Sequence, residues 1–235
     1  MIFKWKRIIW CSLTFITVLA LIILLPVQES LHANATMEEQ VLVIDAGHGG
    51  EDGGAVASNG TAESDINLDI ALRLELLASF WGIPTVMTRE TAEIHYPDSA
   101  ETIAAKKKAD QNARIALIQN TPGAILMSIH QNFYPSDAPW GIQVFYSTVS
   151  GSAELAEITQ ENMTSQLAPD NRRLAAAIDE NIYLMRKVQC PAVLVECGFL
   201  SNPKELQKLE TEAYRLELAA VLLASYQQYT EGITK

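Results

Sequence analysis

Two histidines and two acidic residues stand where short apolar runs end or a helical stretch begins. Val41-Leu42-Val43-Ile44 leads into Asp45-Ala46-Gly47-His48-Gly49-Gly50, and Ala124–Ile129 leads into His130-Gln131-Asn132. Ala192-Val193-Leu194-Val195 leads into Glu196-Cys197-Gly198-Phe199, and Glu63 opens a stretch with helical spacing. Two imidazoles and one carboxylate, with a fourth position left for water, form a common catalytic zinc set. A further carboxylate beside such an ion can take a proton from water and pass it to a leaving group. His48, Glu63 and His130 fit as ligands by residue type, with Glu196 as general base. Their separations of 15 and 67 positions match no short metal motif. A histidine at a strand end serves equally well as a structural hydrogen-bonding group, so the residues alone leave both readings open.

The elements that must bring these groups together are legible from apolar periodicity. Short apolar runs at 41–45, 84–88, 124–129, 141–147 and 192–196 alternate with helical stretches at 63–81, about 104–119, 152–167 and 211–228. This alternation predicts an α/β fold, one domain with a mostly parallel, mixed central sheet covered by helices on both faces. In such sheets the carboxyl ends of the strands form one crevice where ligands bind. His48, His130 and Glu196 would meet there, and Glu63 joins them because its helix starts where the first strand ends. The helical stripe over 63–81 is Ile66, Ile70, Leu74, Leu77 and Trp81. The glycines around His48 would allow a tight turn and leave room for a substrate chain.

Other polar residues have second claims. Asp45 would orient a ligand histidine or cap a loop. Arg89 and Arg114 suit ion pairing, or substrate carboxylates; Asn132 and Ser128 suit side-chain bonds that shape the loop around His130. His95 falls in a polar loop and His32 in a linker, both positions open to solvent. Glu196 ends an apolar run, where an unpaired carboxylate is costly and a nearby cation would offset that cost. Cys190 and Cys197 flank a single strand, too far apart along it for a disulfide, so both read as buried free thiols.

Composition excludes several functions. A formal net charge of −11 over 235 residues argues against nucleic acid, whose phosphates require clustered Lys and Arg. The segment Gly47-His48-Gly49-Gly50-Glu51-Asp52-Gly53-Gly54 lacks both the dinucleotide glycine spacing and the phosphate-binding lysine, and its acidic pair would repel a nucleotide. A cysteine hydrolase built on Cys197 lacks a cationic neighbour or helix N-terminus to activate the thiol.

The ordered segments around these residues carry more than their spacing does. Val43–Gly50 with Asp52-Gly53-Gly54-Ala55, then Glu63 and Asn67, then Ser128–Asn132, then Val195–Pro203 resemble the motifs of the zinc-dependent N-acetylmuramoyl-L-alanine amidases. The resemblance covers about residues 41–229, and four motifs in order are specific together. It implies one Zn2+ held by His48, Glu63 and His130, with Glu196 as catalytic base. It also implies peptidoglycan or a muropeptide as substrate, cut between N-acetylmuramic acid and L-alanine. A non-catalytic wall-binding or regulatory module on the same fold is the alternative, although such a module would have lost one of these four residues. The chain is further similar to the spore-cortex, CwlD-like branch, through its short N-terminal apolar segment, its lack of wall-binding repeats and the run Ile182-Tyr183-Leu184-Met185-Arg186. That branch removes stems on the way to muramic-δ-lactam, a germination signal, and an activating protein partner would be in keeping with it. Three departures stand out: Ala46 where proline is usual, Phe133 where a small residue is usual and expected to narrow the groove beside His130, and Cys197 beside Glu196.

Lys4, Lys6 and Arg7 precede the apolar run Ile8–Val27, which is long enough to span a bilayer. The expectation is export, with residues 1–27 as signal or signal-anchor, 28–40 as a polar linker and 41–230 as the catalytic domain. Ala33-Asn34-Ala35 resembles a cleavage site, and the length of the apolar run favours a retained membrane anchor. Mass spectrometry of the native protein is expected to find residues 8–27 retained; an N-terminus at Thr36 would instead establish cleavage after Ala35.

Overall fold

The computed structural model describes residues 39–233. The apolar run Ile8–Val27, the Ala33–Ala35 sequence, Cys11 and His32 lie outside these residues. Among the described residues no helix is long and apolar enough to cross a membrane.

Six strands form one sheet: β1 (Val41–Ala46), β2 (Thr85–Met87), β3 (Ala124–Asn132), β4 (Gln143–Tyr146), β5 (Ala176–Ala177) and β6 (Ala192–Phe199). Their spatial order is β2-β1-β3-β6-β4-β5. β1, β2, β3 and β6 run parallel, and β4 pairs antiparallel to β6, making the mixed sheet that the sequence suggested. Among the described residues six helices accompany them: α1 (Glu63–Phe80), α2 (Ile103–Gln119), α3 (Ser152–Leu167), α4 (Tyr183–Lys187), α5 (Pro203–Leu209) and α6 (Glu212–Ile233). Cys190 and Cys197 are free thiols, and burial raises the pKa of both.

Strand alternation divides the core into two layers. Leu42, Ile44, Ile125, Met127, Ile129, Val193 and Val195 face the layer containing Ile66, Ile70 and Leu74 of α1, Leu155 of α3 and Leu222 of α6. Val43, Leu126 and Leu194 face the smaller layer of Ile115 and Ile118 from α2 with Leu184 and Met185 from α4. Continuing that second face toward the strand ends gives Asp45, Ser128, His130 and Glu196. Because α4 has only five residues, it covers the lower part of this face and leaves the strand ends open as a cleft of about 480 Å³.

The stripe on α1 differs from the sequence reading at its end. The buried row is Ile66, Ile70, Leu74 and Ala78, whereas Leu77 is only partly buried and Trp81 is 64% exposed. Trp81 is the C-cap, and Gly82, at φ 68°, turns the chain away from the helical path. Three short elements escaped the sequence reading: β5, α4 and α5. α5 carried a visible start signal, since Asn202 accepts from the backbone N–H groups of Lys204 and Glu205 and Pro203 occupies the first turn.

Candidate active site

Glu63 is the first residue of α1, and its side chain turns back toward the sheet. Its Oε1 lies 3.0 Å from His130 Nδ1 and accepts the Gln131 backbone N–H at 3.1 Å. Its Oε2 lies 3.4 Å from His48 Nε2 and accepts the Ala55 N–H at 2.9 Å. The candidate ligand atoms of His48, Glu63 and His130 all lie within 4.8 Å of one another. Ligands on a tetrahedral zinc at about 2.0–2.1 Å stand roughly 3.3 Å apart, so these separations fit such an ion with small adjustment. The imidazoles meet edge to face with centroids 5.0 Å apart, which brings the two rings together beside one carboxylate. These three residues form a candidate metal site. Glu196 stands beside His130 in the β3–β6 register, and its Oε2 is buried without a hydrogen-bond partner. Burial pushes its carboxyl up to about 7.

The backbone conforms to these side chains. His48 is the one non-glycine residue at positive φ among the described residues, at 59°. Positive φ is uncommon for any residue with a Cβ, although histidine tolerates it better than most, and the surroundings hold it there. A Cβ on Gly47 would come within 2.3 Å of the His130 ring, and one on Gly54 within 2.5 Å of Glu63 Oε2. The room made by Gly47 is therefore taken by the His130 ring, not by substrate.

The carboxylate that orients His48, a candidate ligand, is Asp52, not Asp45. Asp52 Oδ2 sits 2.9 Å from His48 Nδ1, turning Nε2 toward Glu63. Burial disfavours a charged imidazole, but the contacts with Asp52 and Glu63 outweigh it and raise the His48 pKa to about 9. The same negative field that holds a proton there would hold a cation. The motif spacing around Asp52 was visible in the sequence, but its bond to His48 depends on the turn at Gly49 and Gly50.

Asp45 instead accepts from Thr88 Oγ1 at 2.7 Å, Ser128 Oγ at 2.6 Å and Arg114 at 2.7 Å. Arg114 also donates to the carbonyls of Ala46 and His48, each at 2.7 Å. Arg89 donates to the carbonyls of Ala46, Gly47 and Ser64. Two guanidinium groups thus grip the loop that carries His48 by its backbone, and both are buried. Most of their donors are used inside the protein, although Arg114 also lines the cleft. Asn132 ends β3 with its carbonyl accepting the Leu200 N–H, and neither it nor Phe133 lines the cleft. Phe133 is exposed, so it does not narrow the groove beside His130. His95 is exposed, in its polar loop. Sequence reasoning passed over Gln131, whose amide donates to Asn67, and Lys107, which lines the cleft.

The N-acetylmuramoyl-L-alanine amidase family pattern matches residues 42–227, which include all four of these chemical groups. The chain belongs to this family. It is 31% identical over 191 residues to the germination-specific N-acetylmuramoyl-L-alanine amidase of Bacillus subtilis, spanning 81% of this chain and 79% of that one. The CwlD amidase of Clostridioides difficile, solved in complex with the GerS lipoprotein, shares the fold with a TM-score of 0.78. The match has 33% identity and covers 82% of this chain and 98% of that one. An N-acetylmuramoyl-L-alanine amidase of Clostridium difficile 630 has a TM-score of 0.70 at 28% identity, covering 83% and 98%. These likenesses support the CwlD-like branch in particular.

The grip on the His48 loop has a pH signature. Burial opposes charge on Asp45, but Arg114 with Ser128 and Thr88 holds its carboxyl at about 2, below the ordinary 3.8. Its stabilisation is therefore complete above about pH 4 and is lost as the pH falls through about 2. Asp45→Asn is expected to cost about 3 kcal/mol at pH 7, because buried Arg114 keeps only Asp110 as a carboxylate partner. In urea unfolding the gap to wild type should close by about 2 kcal/mol between about pH 5 and pH 2. A gap that stays constant over that range would contradict this role.

Proposed function

We propose that this protein hydrolyses the amide between the lactyl group of N-acetylmuramic acid and L-alanine in peptidoglycan, with zinc held by His48, Glu63 and His130. The observation that carries this reading is the convergence of those three side chains beside a buried carboxylate, in a chain of the amidase family. When bound, zinc supplies Lewis acidity, polarising the scissile carbonyl and lowering the pKa of water. Glu196 accepts a proton from the attacking water and delivers it to the alanine nitrogen as the C–N bond breaks. The products are a lactyl carboxylate and a free peptide amino terminus. A carboxyl pushed to about 7 is matched to taking and returning a proton near neutral pH. Asp52 keeps the His48 ring turned to its task, and Arg89 and Arg114 keep its backbone in place.

The work belongs outside the cytoplasm, since the substrate is the cell wall. The germination-specific relative supports a role in spore-cortex remodelling, on the path to muramic-δ-lactam. The complex of the C. difficile relative with a lipoprotein supports a protein partner here. The basic-flanked run Ile8–Val27 is the proposed attachment to the membrane.

Glu196→Gln tests the mechanism. The amide is nearly isosteric and touches no proposed ligand, so zinc content and fold should be unchanged. Release of stem peptides from purified peptidoglycan should fall by about 10²–10⁴-fold, mainly in kcat. Turnover within a few-fold of wild type, with zinc retained, would remove Glu196 from the role of base.

A further inference from the structure

The two walls of the cleft differ in charge. The wall formed by residues 181–183 is Asn181, Ile182 and Tyr183, with no carboxylate, ammonium or guanidinium among them, whereas α2 lines the cleft with Lys107, Gln111 and Arg114 in a chain of net charge −11. Lys106 is drawn to Glu51 and lies over the Tyr96 ring. Lys107 lines the cleft, with its Nζ 2.9 Å from Asp52 Oδ2. The other cleft-lining arginine or lysine is Arg114, whose guanidinium is buried against Asp45, Asp110 and two carbonyls. Lys107 is 46% exposed, and an ammonium has three donors, of which Asp52 takes one.

We propose that Lys107 binds a carboxylate of the stem peptide next to the scissile amide, and so selects stems whose second residue keeps its α-carboxyl free. The proposal rests on the amidase reading and deepens it. In a stem, L-alanine is followed by a D-glutamyl unit linked onward through its γ-carboxyl, which leaves the α-carboxyl as acid or amide. That group stands about 6 Å from the scissile nitrogen, given a spacing of about 3.8 Å between successive Cα atoms. Lys107 and the His48 ring contact the same oxygen of Asp52, each at 2.9 Å. The ammonium is thus no more than about 6 Å from His48 Nδ1, the ring nitrogen on the far side from Glu63, and so within reach of a carboxylate about two residues along the stem. With the scissile bond at His48, Glu63 and His130, a stem leaving along α2 brings its first carboxylate to Lys107. The glycan then leaves on the other side.

Calorimetric titration of the full-length protein with the tripeptide L-Ala-γ-D-Glu-L-Lys and with its α-amide reads this contact without turnover. Wild type is expected to bind the acid about tenfold more tightly than the amide, the scale of one partly solvated charge-assisted hydrogen bond. Lys107→Met and Lys107→Gln should each bring the ratio to near one, and Lys107→Arg should preserve it. A purely structural role through Asp52 would weaken acid and amide alike and leave the ratio unchanged in the Met and Gln variants. That result, or no preference for the acid in wild type, overturns the proposal. Stem release from intact peptidoglycan, assayed separately, tests the amidase reading. A protein that prefers the acid yet hydrolyses nothing would count against that reading and for the contact.

Discussion

The Glu63 carboxylate joins three chain segments that are far apart in sequence. It meets His48 from the loop after β1, His130 from the end of β3, and the backbone N–H groups of Ala55 and Gln131. A buried carboxylate is costly unless it is paired on every side. Glu63 is only 4% exposed, so its neighbours must be in place whenever the fold is. The histidine contacts lower its pKa despite burial, keeping it anionic and acceptor-only. The two histidines then present their donors around one point because one anion draws them both.

Holding that arrangement requires unfavourable backbone, and the fold supplies the means. His48 must carry an imidazole in a left-handed conformation that glycine would adopt more easily. Glycine has no ligand to offer there. The strain is offset by bonds from Arg89 and Arg114 to the carbonyls of residues 46–48, and Arg114 is itself fixed by Asp45 and Asp110. Gly47 makes room for His130, and Gly54 for Glu63 and His48. The short α4 leaves the cleft open above them, while the longer α2 brings Lys107 to its edge. Architecture and chemistry thus share one cause, the need to surround Glu63.

Much of this arrangement is legible in the amino-acid sequence. Apolar runs ending in His130 and Glu196 predict strands whose ends share an edge, and the structure adds that β3 and β6 are neighbours whose register pairs those two residues directly. The candidate ligand set follows from residue type together with ordered motifs, because the separations between those residues carry no pattern of their own. What the sequence conceals are features set by tertiary geometry. Asp45 looks like the partner of a histidine because it is close in sequence, but strand alternation turns it toward Ser128 and Arg114, and the turn at Gly49–Gly50 delivers Asp52 to His48. Arg89 and Arg114 suit ion pairing or substrate by residue type, and Arg114 does pair with Asp45 and Asp110, but the carbonyls that both grip leave no mark in sequence. β5 and α4 are too short for periodicity to register.

The account stands on the shared carboxylate, and metal content tests it most directly. Purified wild-type protein, measured by elemental analysis after dialysis against trace zinc, should hold about one zinc per chain. Glu63→Gln, which keeps the size of the side chain and removes its charge, should hold almost none while its far-ultraviolet circular dichroism stays that of the folded protein. Full zinc occupancy in the folded Glu63→Gln protein would contradict the account, because the two histidines would then be gathered by something other than Glu63.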